Sequence, residues 1–351
     1  MKFHFATLLL CSLMTSNCIA QTIIKINKSI QYQQIDGFGV LATDHNSKVD
    51  AENFPPANSM RDSLAELLVN DLGLSIFRNY LDPQFELTND NSDPNVMDLS
   101  KFNLQNKINT ACDGDAFMPV EITKNTFRKL QSLVKKNGDS AIFITSVASP
   151  PKWMKYTNCA YGNDWQYNKL ITSEENAKMQ PPPLLNEDYK EEFAEFCEAY
   201  LQYMKQEGIS IHGLSIQNNP YFAQPYSSCV YRDSSYIATL NKVGQRIASK
   251  KFGTKLMFNE DIVEIARFRN FIKSLKTNSE FKDYEKIAAI QGYQNGGAFA
   301  SAISAYSFNS IIKTIDYYDP SLKLYSTEAG DGFFPVNIIN SLKYGRVSAW
   351  L

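Results

Sequence analysis

The chain has 351 residues, 44% hydrophobic and 21% charged, the profile of a globular protein with a core large enough for one big barrel or two ordinary domains. A net charge of −2 without a basic stripe argues against a nucleic-acid partner. Three histidines in all leave little material for a multi-histidine metal site or a Ser-His-Asp triad, so carboxylates are the obvious catalysts, and no metal or cofactor is implied.

The first twenty residues read as a secretory signal. Lys2 supplies the positive start, Phe5–Met14 is an apolar run too short to span a bilayer, and Cys18-Ile19-Ala20 offers a cleavage site before Gln21. The mature protein is therefore expected to be secreted or periplasmic. Cleavage removes one lysine and no acid, leaving 34 basic against 37 acidic residues, or −3. No later run approaches transmembrane length. Cys112, Cys159, Cys197 and Cys229 remain after cleavage, none with zinc spacing. Cys112 and Cys159 both lie in loop-like sequence and are the candidate disulfide, whereas Cys197 falls in a helical pattern and reads as buried.

Residues 21–34 read as strand material of a small side β-structure. From residue 35 onward, short apolar or β-branched runs alternate with helical periodicity. The candidate strands are Gln34–Val40, Leu74–Asn79, Ala141–Val147, Gly213–Gln217, Thr254–Asn259, Ile287–Gln291, Lys323–Thr327 and Val347–Leu351. Asn186 is placed to cap a helix bearing Tyr189, Phe193, Cys197, Tyr200, Leu201 and Met204 on one face, and Gly208 to end it. A second helix starts near Asp233 and carries Ile237, Leu240, Val243 and Ile247. Eight strands alternating with helices predict an α/β fold, a (β/α)8 TIM barrel over residues 35–351. Periodicity leaves a doubly wound sheet open, but no glycine-rich phosphate loop follows an early strand. The eighth strand has no helix after it. The sequence therefore reads as a barrel truncated in or just after strand eight, a fragment lacking its C-terminal end and a C-terminal β-domain.

Catalytic residues of such barrels sit at the C-terminal ends of strands. Glu328 follows Lys323–Thr327, and Asn218-Asn219-Pro220 follows Gly213–Gln217. Glu260 and Asp261 follow the fifth strand, and Asp44 and His45 the first.

With these positions fixed, Ile35-Asp36-Gly37-Phe38-Gly39, Leu74-Ser75-Ile76-Phe77-Arg78, Ser149-Pro150-Pro151-Lys152-Trp153-Met154-Lys155, Leu214-Ser215-Ile216-Gln217-Asn218-Asn219-Pro220 with Ser228-Cys229, and Ser326-Thr327-Glu328 together resemble glycoside hydrolase family thirty, in that order and spacing. This family of retaining β-glycosidases includes glucosylceramidases, xylanases and β-1,6-glucanases. The resemblance implies a β-linked glycan or glycoside as substrate, a monomer, Glu328 as nucleophile, and a second carboxylate that protonates the leaving oxygen. It also implies that Asn218 contacts the sugar's second hydroxyl and that Arg78 and Tyr293 support the pocket. Trp153 and Trp350 are candidate sugar platforms.

Three positions depart from the family pattern. Asn219 stands where the family carries the acid/base glutamate, Ala148 where it carries a tryptophan before Ser-Pro-Pro, and Gln291 where it carries the histidine of His-x-Tyr. An amide cannot donate a proton to a leaving group, a service typically worth ~10²–10⁴ in rate. Glu260 is the candidate substitute. Two readings follow: an active retaining glycosidase with altered proton transfer, or a degenerate member of the same fold that binds glycans without cleaving them.

Overall fold

The computed structural model describes residues 27–42, 58–105, 112–114, 119–162, 184–221, 223–224, 226–282, 284–294, 301–329 and 334–351. The chain divides into two units, residues 1–33 and 34–351. Of the first, residues 27–33 are described, and they form a turn and irregular chain. Residues 27–34 of the segment expected as side strand form no strand, and its remaining positions lie outside the described residues. The signal-like segment lies outside them too.

The second unit is a closed eight-stranded parallel barrel. Its strands are β1 (Gly37–Leu41), β2 (Ile76–Leu81), β3 (Ile142–Val147), β4 (Ile211–Ser215), β5 (Lys255–Phe258), β6 (Lys286–Gln291), β7 (Leu324–Glu328) and β8 (Ala349–Trp350). Each pairs with its sequence neighbours, and β8 closes onto β1 through Gly37↔Ala349 and Phe38↔Trp350. Beyond β1, Asp36 bonds Lys323 Nζ at 2.6 and 2.8 Å and Tyr325 Oη at 2.6 Å, which fastens the N-terminal end of the barrel.

Helices surround the sheet: α1 (Asn58–Glu66), α2 (Val120–Lys136), α3 (Lys190–Gln206), α4 (Asp233–Lys250), α5 (Ile265–Thr277), α6 (Ala305–Tyr318) and α7 (Phe334–Lys343). Asn186 caps a 3₁₀ turn, Glu187–Tyr189, that leads into α3, so the cap stands one turn earlier than the α-helix proper. Gly208, with φ +76°, takes the left-handed conformation that ends this helix.

Side-chain alternation along the strands builds two cores. Phe77, Phe143, Leu214, Phe258 and Leu324 face outward against the helices. Ile76, Ile144, Met257, Ile287, Ala289, Tyr325 and Ala349 fill the interior. β1 contributes Gly39 at a crowded position, where a Cβ would lie 2.2 Å from the Ile76 carbonyl oxygen. The interior is therefore packed and not a pore. The same alternation sends Arg78 and Tyr80 inward above Ile76, Ser146 above Ile144, and Gln291 above Ala289, so polar side chains gather at the C-terminal mouth.

Two local irregularities shape that mouth. β4 lies two residues earlier than the sequence indicates. After Ser215 the ladder ends, and Gln217 turns its amide to the Ala148 and Asn218 carbonyls, both at 2.8 Å. In β7 a register shift against β6 skips Thr327, pairing Ile290 with Ser326 and Gln291 with Glu328. Tyr325 points inward, so strict alternation would direct Thr327 into the barrel. The extra residue hands that direction to Glu328.

Candidate active site

The mouth is organised by the Arg78 guanidinium, which is fully buried. Nη1 reaches Glu328 Oε2 at 2.9 Å and Tyr80 Oη at 3.3 Å. Nη2 reaches Asn218 Oδ1 at 2.8 Å and Glu260 Oε1 at 3.0 Å, and Nε reaches Ser146 Oγ at 3.0 Å. Burial alone would weaken this cation, but the charges of Glu260 and Glu328 hold it fully protonated. The planar fork lets one residue orient groups from β3, β7 and the turns that follow β4 and β5 at once, which a lysine could not do.

Four side chains donate to Glu328, Arg78 among them. Tyr293 Oη donates to Oε1 at 2.7 Å, while Tyr80 Oη at 3.2 Å and Gln291 Nε2 at 3.4 Å donate to Oε2 beside Arg78. Its side chain is about one-third exposed, against none for Arg78 and Glu260. Burial pushes the carboxyl up, but the Arg78 charge and the hydrogen bonds from Tyr293, Arg78 and Tyr80 outweigh it and hold the group below the ordinary carboxylate value. Burial first, and then the Glu328 charge, raise the Tyr293 phenol, so it stays a donor. The Tyr80 phenol is raised too, chiefly by burial. The outcome is an ionised, oriented and accessible carboxylate at a strand end.

Asn218 is equally constrained. Its Oδ1 accepts from Arg78 and, at 3.0 Å, from Gln291 Nε2, which leaves its N–H groups to donate elsewhere. Asn219 adopts φ +51°, a left-handed conformation that asparagine tolerates better than most residues. Its backbone N–H donates to the Glu260 carbonyl at 3.0 Å, and its buried Oδ1 has no hydrogen-bond partner.

Glu260 does not occupy the position expected of a substitute acid. It is fully buried, with Oε1 3.0 Å from Arg78 Nη2, the nitrogen that also meets Asn218, while Glu328 lies on Nη1. The same turn that aims its backbone carbonyl at Asn219 removes its side chain from the cleft. Asp261, also buried, is pushed up to about 7 by burial in spite of Arg267 at 3.7 Å.

Neither tryptophan offers an open face at the mouth. Trp350 is 7% exposed and packed into the outer core, because β8 sends it toward the helices. Trp153 is half-buried, donates Nε1 to the Glu86 carbonyl at 3.1 Å and packs edge-on against Tyr189. Ala148 sits against Tyr80. Tyr80 and Ser146 are site residues that the sequence reading passed over. Tyr80 was accessible to it, since two residues after Arg78 on a strand means the same face. Asp44 and His45 lie outside the described residues.

Cys112 and Cys159 are joined by a disulfide, which links the loops that follow β2 and β3 at the mouth end. Cys197 and Cys229 are free and buried. Lys155 locks the third loop through Nζ bonds to the Ala160, Tyr161 and Ser228 carbonyls at 2.8, 3.1 and 2.6 Å. Among the described residues no group of histidine, cysteine or acidic side chains is arranged to hold a metal, and no helix is long and apolar enough to cross a membrane.

No sequence-family model and no curated protein matches the chain. Its fold is that of solved glycoside hydrolase family 30 structures. The chain is similar to the subfamily 8 xylanase Xyn30A from Clostridium acetobutylicum, with 18% identity and a TM-score of 0.59 over 93% of this chain and 65% of that one. It is similar to SrfJ from Salmonella typhimurium, with 16% identity and a TM-score of 0.62 over 91% of this chain and 64% of that one. It also resembles the endo-β-1,6-glucanase BT3312, with 18% identity and a TM-score of 0.57 over 86% and 59%. The chain spans less than two thirds of the length of each of these three.

Proposed function

We propose that this chain is a glycoside hydrolase-like barrel acting on β-linked glycosides, with Glu328 as the nucleophile of a retaining reaction. The single observation that carries the reading is the Glu328 carboxylate, ionised by Arg78, aimed by Tyr293 and Tyr80 and open to the cleft. One Glu328 oxygen attacks the anomeric carbon, the glycosidic bond breaks, and a glycosyl-enzyme forms that water then opens. Asn218, with its carbonyl oxygen occupied, presents N–H to the sugar's second hydroxyl. Export through the N-terminal signal is part of the reading, and the Cys112–Cys159 bridge supports it, because disulfides persist in oxidising compartments.

The test is turnover of dinitrophenyl β-glycosides, a panel including glucoside and xyloside, with and without azide as an external nucleophile. Release of dinitrophenol by the wild type, lost in Glu328→Gln, is the expected result. No release from any sugar under either condition overturns the reading.

A second reading, glycan binding without cleavage, is favoured by one observation: an amide, Asn219, stands at the acid/base position. If it is correct, Asn219→Glu creates hydrolysis that the wild type lacks on every substrate, the dinitrophenyl glycosides included.

A further inference from the structure

We infer that the site is built for β-glycosides whose leaving oxygen departs as a stable anion, the aryl and acyl glycosides of acids stronger than an ordinary alcohol, and not for alkyl glycosides or unmodified glycans. This rests on the nucleophile role of Glu328 and adds to it the chemistry of the leaving group.

The cleft carries one open carboxylate among the described residues. Glu260 and Asp261, which follow β5, are 0% and 1% exposed and are paired with Arg78 and Arg267. Beside Glu328 the surface is amide: Asn218 and Gln291, bonded to each other and to the Arg78–Glu328 pair, and Asn219 next in the chain. Tyr80 and Tyr293, the two phenols bonded to Glu328, are committed to it as donors, and burial keeps them protonated. Among the described residues the site thus holds a fully prepared nucleophile and no carboxyl group placed to give up a proton. Amides can hydrogen-bond a leaving oxygen, and being uncharged they do not repel one that leaves as an anion, as a carboxylate would.

The steps balance without an acid. A Glu328 oxygen bonds to the anomeric carbon while the bond to the leaving oxygen breaks. That oxygen takes the electron pair and departs as a carboxylate or phenolate. Water then attacks the anomeric carbon, the Glu328–carbon bond breaks with its pair returning to the carboxylate, and the surplus proton of the water passes to bulk solvent. With no base among the described residues to draw that proton, the second step is slow and the glycosyl-enzyme accumulates. Azide, which carries no proton to lose, opens it faster and leaves as the β-glycosyl azide.

The experiment compares dinitrophenyl, benzoyl and methyl β-glycosides of the sugar that responds best, by rapid-mixing kinetics, with and without azide, in wild type and Asn219→Glu. The wild type is expected to release about one equivalent of dinitrophenol or benzoate in a burst, to turn over slowly until azide is added, and to cleave the methyl glycoside at least ~10²-fold more slowly. Asn219→Glu should lose the burst and gain ~10²–10⁴ on the methyl glycoside. A wild type that cleaves the methyl glycoside as fast as the aryl one, or whose rate falls at alkaline pH as a proton donor ionises, overturns the inference and leaves the nucleophile reading standing. No release from the dinitrophenyl glycoside, with or without azide, overturns both.

Discussion

Carboxylates are buried in two regions of this molecule, and they behave in opposite ways. At the barrel mouth, Glu328 and Glu260 flank one guanidinium, and Glu328 also accepts from two phenols and an amide. Outside the barrel, Glu86 from the turn after β2 lies with Glu192 and Glu195 from α3, all three buried, and Asp90 adds its charge. There the nearest cation, Arg246, stands 4.0 Å from Glu195 and is engaged by Glu198. Burial, followed by the Asp90, Glu195 and Glu192 charges, pushes Glu86 up to about 9, and burial pushes Glu195 up to about 8. Burial raises a carboxyl in both places, and at Glu328 a counter-charge in contact together with aligned hydrogen bonds reverses it. A buried acid is therefore not by itself a sign of function. What sets Glu328 apart is the combination of a paired charge, aligned donors and an open edge.

The comparison can be broken first at its most consequential residue. Glu328→Gln keeps the shape of the mouth and removes the nucleophile, so turnover of dinitrophenyl glycosides should fall by about 10⁴-fold or more, read in a steady-state assay. Next comes the shared cation. Arg78→Met leaves Glu260 buried and unpaired, and urea unfolding should show a loss of about 3–5 kcal/mol. A loss below ~1 kcal/mol would mean that the Arg78–Glu260 contact does little to hold the fold.

The acid cluster should respond with the opposite sign. Glu86 holds its proton in the folded chain up to about pH 9 but loses it near pH 4.5 when unfolded, so its contribution to stability falls as pH rises through that window. Glu86→Gln cannot ionise. It should flatten the pH dependence and raise the melting temperature at pH 8 by roughly 3 °C or more, with little change at pH 4. An unchanged melting curve at pH 8 would remove the contrast between the regions. The finest adjustment is Tyr293→Phe, which deletes one donor to ionised Glu328. Its carboxyl should rise, moving the acidic limb of activity upward by about 1 pH unit.

Much of the barrel was legible in the sequence because parallel strands covered by helices read as short apolar runs between amphipathic segments. Position was harder than existence. The end of β4 was misplaced because Gln217 looks like strand while its carbonyl accepts from Ser215 Oγ and its amide donates to the Ala148 and Asn218 carbonyls. Glu328 was visible as a strand-end acid, but its inward aim depends on a register shift that no periodicity reports. Glu260 was misjudged for the same reason: adjacency to a strand end does not say which side of a guanidinium a carboxylate will occupy. Trp350 looked like a platform because aromatics bind sugars, and the strand's parity put it in the core instead.

The most direct test of the central claim is covalent trapping. A dinitrophenyl β-glycoside bearing fluorine in place of its second hydroxyl should label the protein once, and peptide mass spectrometry should place the sugar on Glu328. An unlabelled protein, or a sugar attached to any other carboxylate, would contradict the account.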